Sequence, residues 1–259
     1  MKNFENIGIA GDWHGNTGWA MNALRAFARE GITEVIHVGD FGIWPGADGA
    51  TYIRKLNRLA KDCGITLYIT PGNHEDYTRI AACPVEDDGW QHYRENILLA
   101  PRGFRWEWSG RSFVALGGAN SIDRESRIEF LSWWADEQIS LGDVYRTVEN
   151  GHADIMITHD CPAGVNALPP SSSSTMWTEF GLNYARESTI MLRQAVDTVK
   201  PNILFHGHYH WFHDTRAVLN DGIENYETRV VGMDQDEHSN NIGTLRLADL
   251  NFTPLDWNG

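Results

Sequence analysis

Short apolar runs alternate with longer amphipathic stretches through the first third of the chain. Asn6–Ala10, Glu34–Val38 and Ile65–Thr70 each read as a strand. Between them, Trp19–Arg29 and Thr51–Cys63 carry apolar residues at helical spacing and close at Gly31 and Gly64. Strand, helix, strand in this order predicts parallel βαβ units. Further along, the apolar runs shorten. Ile97–Ala100, Phe104–Trp108 and Ser112–Leu116 are separated by tight turns and predict hairpins. Phe130–Val148 predicts a helix, Asp154–Thr158 a strand, Tyr184–Val199 a helix and Asn202–Phe205 a strand, while Trp211–Leu250 reads as antiparallel strands. Pro162–Asn183 has little periodicity and contains the run Ser171–Ser174. So many strands need two sheets, and the helical stretches are placed to cover them. The pattern predicts an α/β fold with mixed sheets, and with neither a linker nor a repeat visible, residues 1–259 read as a single domain.

Charge narrows the partners. The 21 Lys and Arg against 35 Asp and Glu leave a net charge of −14, which argues against an extended grip on duplex nucleic acid or an anionic membrane. A small phosphorylated substrate remains open, because a bound metal supplies local positive charge that the total conceals. No apolar run approaches the roughly 20 residues that cross a membrane. The N-terminus enters a strand pattern without a signal peptide. Cys63, Cys83 and Cys161 are odd in number and form no CxxC pair, so the expectation is a reducing, cytoplasmic location. Oligomeric state is not legible.

The chemistry gathers at strand ends, where open α/β sheets place their sites. Each of the first three strands ends in a polar cluster after a glycine: Gly11-Asp12, Gly39-Asp40 and Gly72-Asn73. His14 follows the first, and the later strands end at His159 and at Gly207-His208-Tyr209-His210. Asp12, His14, Asp40, Asn73, His159, His208 and His210 are oxygen and imidazole donors, a set suited to Mn, Fe, Zn, Co or Ni. Seven donors exceed one tetrahedral zinc. They suit two ions about 3.5–4 Å apart that share a carboxylate, an arrangement that assists in-line phosphoryl displacement.

GDWHG at Gly11–Gly15, GD at Gly39-Asp40, GNHE at Gly72–Glu75, His159 and GHYH at Gly207–His210 resemble, in order, the five motifs of the calcineurin-like metallophosphoesterases. The resemblance implies a four-layer αββα sandwich, two mixed sheets flanked by helices. It implies that Asp12, His14 and His210 hold one divalent transition metal, that Asn73, His159 and His208 hold a second, and that Asp40 bridges them. Manganese is the first expectation, with Fe, Zn, Co or Ni as alternatives. It also implies that His74 lies above the metals as general acid toward the leaving oxygen, a role open to an imidazole near its usual pKa of about 6.5. Two departures matter. No acid follows Asp40 until Asp48, which leaves the group orienting His74 open. The GDxVDRG and RGNHE signatures of Ser/Thr protein phosphatases are absent, since the chain reads GDFGIW and ITPGNHE. The reading is therefore a phosphoesterase in which a metal-bridging hydroxide attacks phosphorus in line. Phosphodiesters are favoured, such as cyclic nucleotides or nucleotide and nucleic-acid ends. Phosphomonoesters and pyrophosphate-linked dinucleotides are the enzymatic alternatives, and a catalytically silent protein-binding scaffold is the non-enzymatic one.

Other residues carry weaker expectations. Arg124 and Arg127 could reach a substrate phosphate, or pair with Asp123, Glu125 or Glu129. Trp177 could contact substrate from the loop Ala163–Asn183, which starts just after a metal ligand. His37 reads as a satisfied core histidine and Cys161 as a small buried filler, while His213, close to the last motif, could support it.

Overall fold

The structure is a computed structural model that describes residues 3–168 and 174–255. Its elements follow in chain order. The first half holds β1 (Asn6–Ala10), α1 (Thr17–Arg29), β2 (Glu34–His37), α2 (Gly46–Cys63), β3 (Thr66–Ile69), α3 (Tyr77–Ala81), β4 (Gln91–Arg94), β5 (Ile97–Leu99), β6 (Arg105–Trp108) and β7 (Arg111–Leu116). The second holds α4 (Leu141–Val148), β8 (Ile155–Thr158), α5 (Glu179–Val199), β9 (Ile203–His206), β10 (His213–Asn220), β11 (Asn225–Gly232), β12 (Ile242–Arg246) and β13 (Asn251–Pro254).

Among the described residues the strands form two sheets, ordered β13-β12-β1-β2-β3-β5-β4 and β10-β11-β9-β8-β7-β6. Both are mixed: β1, β2, β3 and β5 run parallel, as do β7, β8, β9 and β11. The two-residue alternation of each strand sorts its side chains between two cores. Ile7, Ile9, Ile36, Tyr68, Phe113, Ile155, Ile157 and Phe205 join one cluster that fills the space between the sheets. Their strand neighbours Val35, Leu67 and Ile69 pack with Leu24, Phe27, Ile53 and Leu56 of α1 and α2. Val114, Met156 and Leu204 pack with Val144, Leu192 and Val196 of α4 and α5. The four layers are therefore helix, sheet, sheet, helix.

The pattern-based boundaries need five corrections, each with a local cause. The helix predicted over Phe130–Val148 forms only from Leu141. Ser140 caps it in a reciprocal box with Asp143, whereas Phe130 adopts φ 61° in a tight turn and cannot continue a helix. Next, α2 begins at Gly46, well before Thr51, because Pro45 sets its entry. Likewise α5 begins at Glu179, capped by Thr178 Oγ1 accepting from Gly181 N, so only part of the stretch Ala163–Asn183 is loop. Ser171–Ser173 of the serine run lie outside the described residues. Fourth, β5 is no hairpin partner of β6; it pairs parallel with β3 and antiparallel with β4. Fifth, the C-terminal strands are not one antiparallel unit. β11 lies parallel to β9, while β12 crosses to the other sheet and pairs antiparallel with β1. Periodicity along one strand does not encode its neighbour. The short elements α3 and β4 are additions, since neither is long enough to show a period of its own.

Candidate metal centre

The C-terminal ends of β1, β2, β3, β7, β8 and β9 open onto one edge of the sandwich, and the loops leaving them carry the seven predicted ligands. Asp12, His14, Asp40 and His210 offer donor atoms that all lie within 4.8 Å of one another. Asp40 Oδ2 faces this group, 3.7 Å from His14 Nε2. Its other oxygen, Oδ1, lies 3.3 Å from His159 Nε2. Asn73 Oδ1 completes a second group, 2.9 Å from His159 Nε2 and 3.0 Å from His208 Nδ1. The structure thus brings together all seven residues, and it puts Asp40 between two donor sets.

The backbone accepts strain to do so. His14, Asp40, His208 and His210 take φ of 44°, 52°, 69° and 51°, the left-handed region that costs non-glycine residues of order 1–3 kcal/mol each and that collects at functional sites. Glycines clear the space. A Cβ on Gly207 would stand 2.0 Å from Asp12 Oδ1, and one on Gly39 would stand 2.3 Å from His159 Nδ1.

Further partners fix the donors from behind. His14 Nδ1 meets Asp236 Oδ1 at 3.0 Å and His159 Nδ1 meets the Val38 carbonyl at 2.9 Å, which turns each Nε2 toward the centre. Asn73 Nδ2 donates to Ser121 Oγ at 2.9 Å, and Ser121 Oγ donates to Glu137 Oε2 at 2.6 Å. Glu137 is fully buried and also accepts from Ser121 N, Trp133 Nε1 and Tyr184 OH. That chain orients the Asn73 amide so that its oxygen, and not its nitrogen, faces the two histidines. Glu75, also buried, accepts from the amides of Asp40, Gly42 and Gly72 and so pins the β2 loop to the β3 loop. Burial, then the neighbouring Asp40, pushes its carboxyl up to about 7. The sequence reading gave Asp236, Ser121, Glu137 and Glu75 no role. Only Glu75 had a signal, its place inside the GNHE motif.

The donor set fits divalent metal. Asp12 and Asp40 are buried, and among the described residues their ion pairs run to histidines alone. Asp12 Oδ1 is buried without any hydrogen-bond partner, and an orphaned buried carboxylate oxygen is costly unless a cation meets it. Burial alone would raise the Asp40 carboxyl; His159, His74 and His14 outweigh it and hold it well below the usual carboxylate range. Conversely, burial lowers His14 and His159, but Asp40 and Asp12 push both imidazoles above their usual range.

His74 sits beside this centre, not within either donor set. Its backbone N donates to Asp40 Oδ1 at 2.9 Å, and its Nε2 is 3.8 Å from Asp40 Oδ2. The Arg127 guanidinium lies against the ring, with nitrogens 3.1 and 3.0 Å from Nδ1 and Nε2. A neutral imidazole has one acceptor nitrogen, so one of these two contacts is a hydrogen bond at a time. Burial, then Arg127, moves His74 below its usual pKa against the pull of Asp40, a departure from the unperturbed value assumed from sequence. Asp40 and Arg127 are thus the groups that position His74.

The weaker expectations divide. Arg127 pairs with Asp123 at 2.6 Å, while Arg124 lies 3.4 Å over the Trp133 ring. Trp177 is exposed in the segment before α5. Cys161 is buried, and burial pushes its thiol up. His37 is buried as predicted but only half satisfied: Nδ1 accepts from Gly39 N, and Nε2 has no partner. His213 meets His206 rather than one of the seven donors, Nε2 to Nε2 at 2.9 Å.

One family model, described as calcineurin-like phosphoesterase, matches residues 5–212. A search of curated proteins finds no match. Solved structures share the fold at low identity. The protein TT1561 of Thermus thermophilus aligns with a TM-score of 0.54 at 14% identity, covering 97% of this chain and 98% of its own. A dimetal phosphatase from Danio rerio aligns with a TM-score of 0.52 at 14% identity, covering 93% and 92%. A further crystal structure reaches a TM-score of 0.62 at 13% identity, covering 98% and 99%.

Proposed function

This chain belongs to the calcineurin-like phosphoesterase family, and from that premise we propose that it hydrolyses small phosphodiesters with two divalent transition metals, manganese first. Asp12, His14 and His210 would hold one ion, Asn73, His159 and His208 the other, and Asp40 both. The observation that carries this reading is the division of Asp40, one oxygen toward each donor set. Bound there, the ions would supply Lewis-acid stabilisation of charge developing on the phosphoryl oxygens. The chain's own residues do the rest. The buried carboxylates of Asp12 and Asp40 and the imidazoles around them set the donor positions, and His74, placed by Asp40 and Arg127, delivers a proton to the leaving oxygen. Three unpaired cysteines suit a reducing, cytoplasmic compartment, and among the described residues no helix is long and apolar enough to cross a membrane.

The test is hydrolysis of bis-p-nitrophenyl phosphate and p-nitrophenyl phosphate, side by side, after chelation and Mn²⁺ re-addition. Diester turnover that returns with metal supports the reading. Preference for the monoester replaces it with a phosphatase, and silence toward both with metal bound removes it.

Two further outcomes follow from the supporting residues. Ser121→Ala breaks the hydrogen-bond chain from Glu137 to Asn73, and Mn²⁺ affinity at the weaker-binding site should fall about 10–100-fold, the scale for outer-shell partners. Titration calorimetry reads it, and unchanged two-site binding would show that Asn73 needs no such support. His14 and His159, raised by the carboxylates, carry protons at neutral pH when free of metal. Metal must displace those protons, so Mn²⁺ addition at pH 7 should release protons and apparent affinity should rise with pH. A weakly buffered titration with no release on binding would contradict it.

A further inference from the structure

Beside His74 opens a cavity of about 330 Å³, walled by Trp44, Pro45, Arg127, Leu131 and Trp134. It lies among the residues that flank the proton donor, and no ligand set or motif accounts for it. We propose that it is the subsite for the leaving group, and that the favoured substrates are phosphoesters whose departing alcohol is a flat aromatic or similarly bulky apolar group. The inference rests on the esterase reading above, since it is His74 that places the leaving oxygen at the mouth of this cavity.

The wall has the chemistry of an apolar receptor. Trp134 Nε1 is already used, donating to Thr78 Oγ1 at 3.0 Å, so that ring offers the cavity carbon rather than a donor. Arg127 is held in place: Nε donates to Asp123, Nη1 to the Ser132 carbonyl at 3.1 Å, and Nη1 and Nη2 stand beside the two ring nitrogens of His74. The guanidinium is therefore a fixed part of the wall, and the rest of that wall, Trp44, Pro45, Leu131 and Trp134, is largely apolar. On the turn that brings Leu131 to the cavity, Ile128, Phe130 and Leu131 are 62%, 70% and 56% exposed. Three large apolar side chains held out on one turn are costly in water and mark a contact surface.

That turn is built, not loose. Ile128 N donates to Ser132 Oγ at 3.0 Å, Phe130 N donates to the Trp133 carbonyl at 2.9 Å, and Phe130 takes φ 61°. Strain in an aromatic residue, maintained by a closed hydrogen-bond set, fits a surface kept in place for a ligand. Size gives the class. A cavity of about 150 Å³ holds one benzene, so this volume takes a two-ring group.

The probes are methyl 1-naphthyl phosphate and methyl phenyl phosphate, whose leaving phenols are similar in acidity and differ in apolar area. With Mn²⁺-loaded protein, each ester used as a competitor of bis-p-nitrophenyl phosphate turnover in initial-rate assays should show the naphthyl ester binding about tenfold tighter, the burial value of one added ring. Leu131→Ser and Trp44→Ala should each cut that ratio to about threefold or less. Leu131 is exposed, so its substitution keeps the test valid if loss of Trp44 impairs folding, which thermal unfolding would reveal. Equal affinity in the native protein, or a preference that survives both substitutions, overturns the subsite while hydrolysis of the phenyl ester leaves the esterase reading standing. Absence of hydrolysis of both esters overturns the two together.

Discussion

Asp40→Asn should abolish metal-dependent turnover and weaken both metal sites at once, by more than the roughly 10–100-fold that loss of an outer-shell partner costs. The substitution keeps the volume of the side chain and removes its charge. Asp40 is buried, its Oδ2 faces His14 and its Oδ1 faces His159, so no other carboxylate in the centre can serve both sets. Asp12 provides the contrast. It contacts His210 and the amide of His208, on one side only, so Asp12→Asn should weaken one site and spare more of the other. Metal stoichiometry after dialysis, measured beside bis-p-nitrophenyl phosphate turnover, checks both variants. If Asp40→Asn retains two equivalents of Mn²⁺, the bridging role is wrong.

The second large effect depends on the leaving group. His74→Ala should lower hydrolysis of dialkyl phosphates by about 10²–10⁴-fold, the usual worth of a positioned general acid. Nitrophenyl esters should lose far less, because nitrophenolate departs without a proton. Metal content should be unchanged, since His74 lies outside both donor sets. The structure places this side chain where the proposed role requires it. Its backbone is tied to Asp40 and its ring is pressed by Arg127, so the imidazole is fixed at the centre's edge without joining it. Equal losses for both leaving groups would refute proton donation and make His74 a binding residue. Arg127→Lys refines the point. A lysine cannot reach Asp123, the Ser132 carbonyl and both ring nitrogens of His74 at once as the guanidinium fork does, so the ratio between the two substrate classes should shift toward that of His74→Ala.

The seven converging side chains were legible in the sequence because each stands just past an apolar run. Strand ends in a parallel sheet share one edge, which gathers residues 12, 14, 40 and 73 from the first sheet and 159, 208 and 210 from the second; the packing of the two sheets joins the groups. The sorting of Ile7, Ile9, Ile36 and Tyr68 from Val35, Leu67 and Ile69 follows the period of two along a strand, but which face meets which core came from the structure. What could be read from the chain in this way is local: strand ends, donor types, glycines where a Cβ has no room.

Everything that rests on distant pairing came from tertiary packing. Asp236 supports His14 across 222 residues, Ser121 reaches Asn73 across 48, and Arg127 covers His74 across 53. No periodicity links such positions. The transfer of β12 to the first sheet, and the replacement of a predicted helix by the Ile128–Ser132 turn, were settled the same way. Hydrogen bonds and strand pairing depend on which surfaces meet in space, and that is set by the whole core, not by the segment that contributes to it.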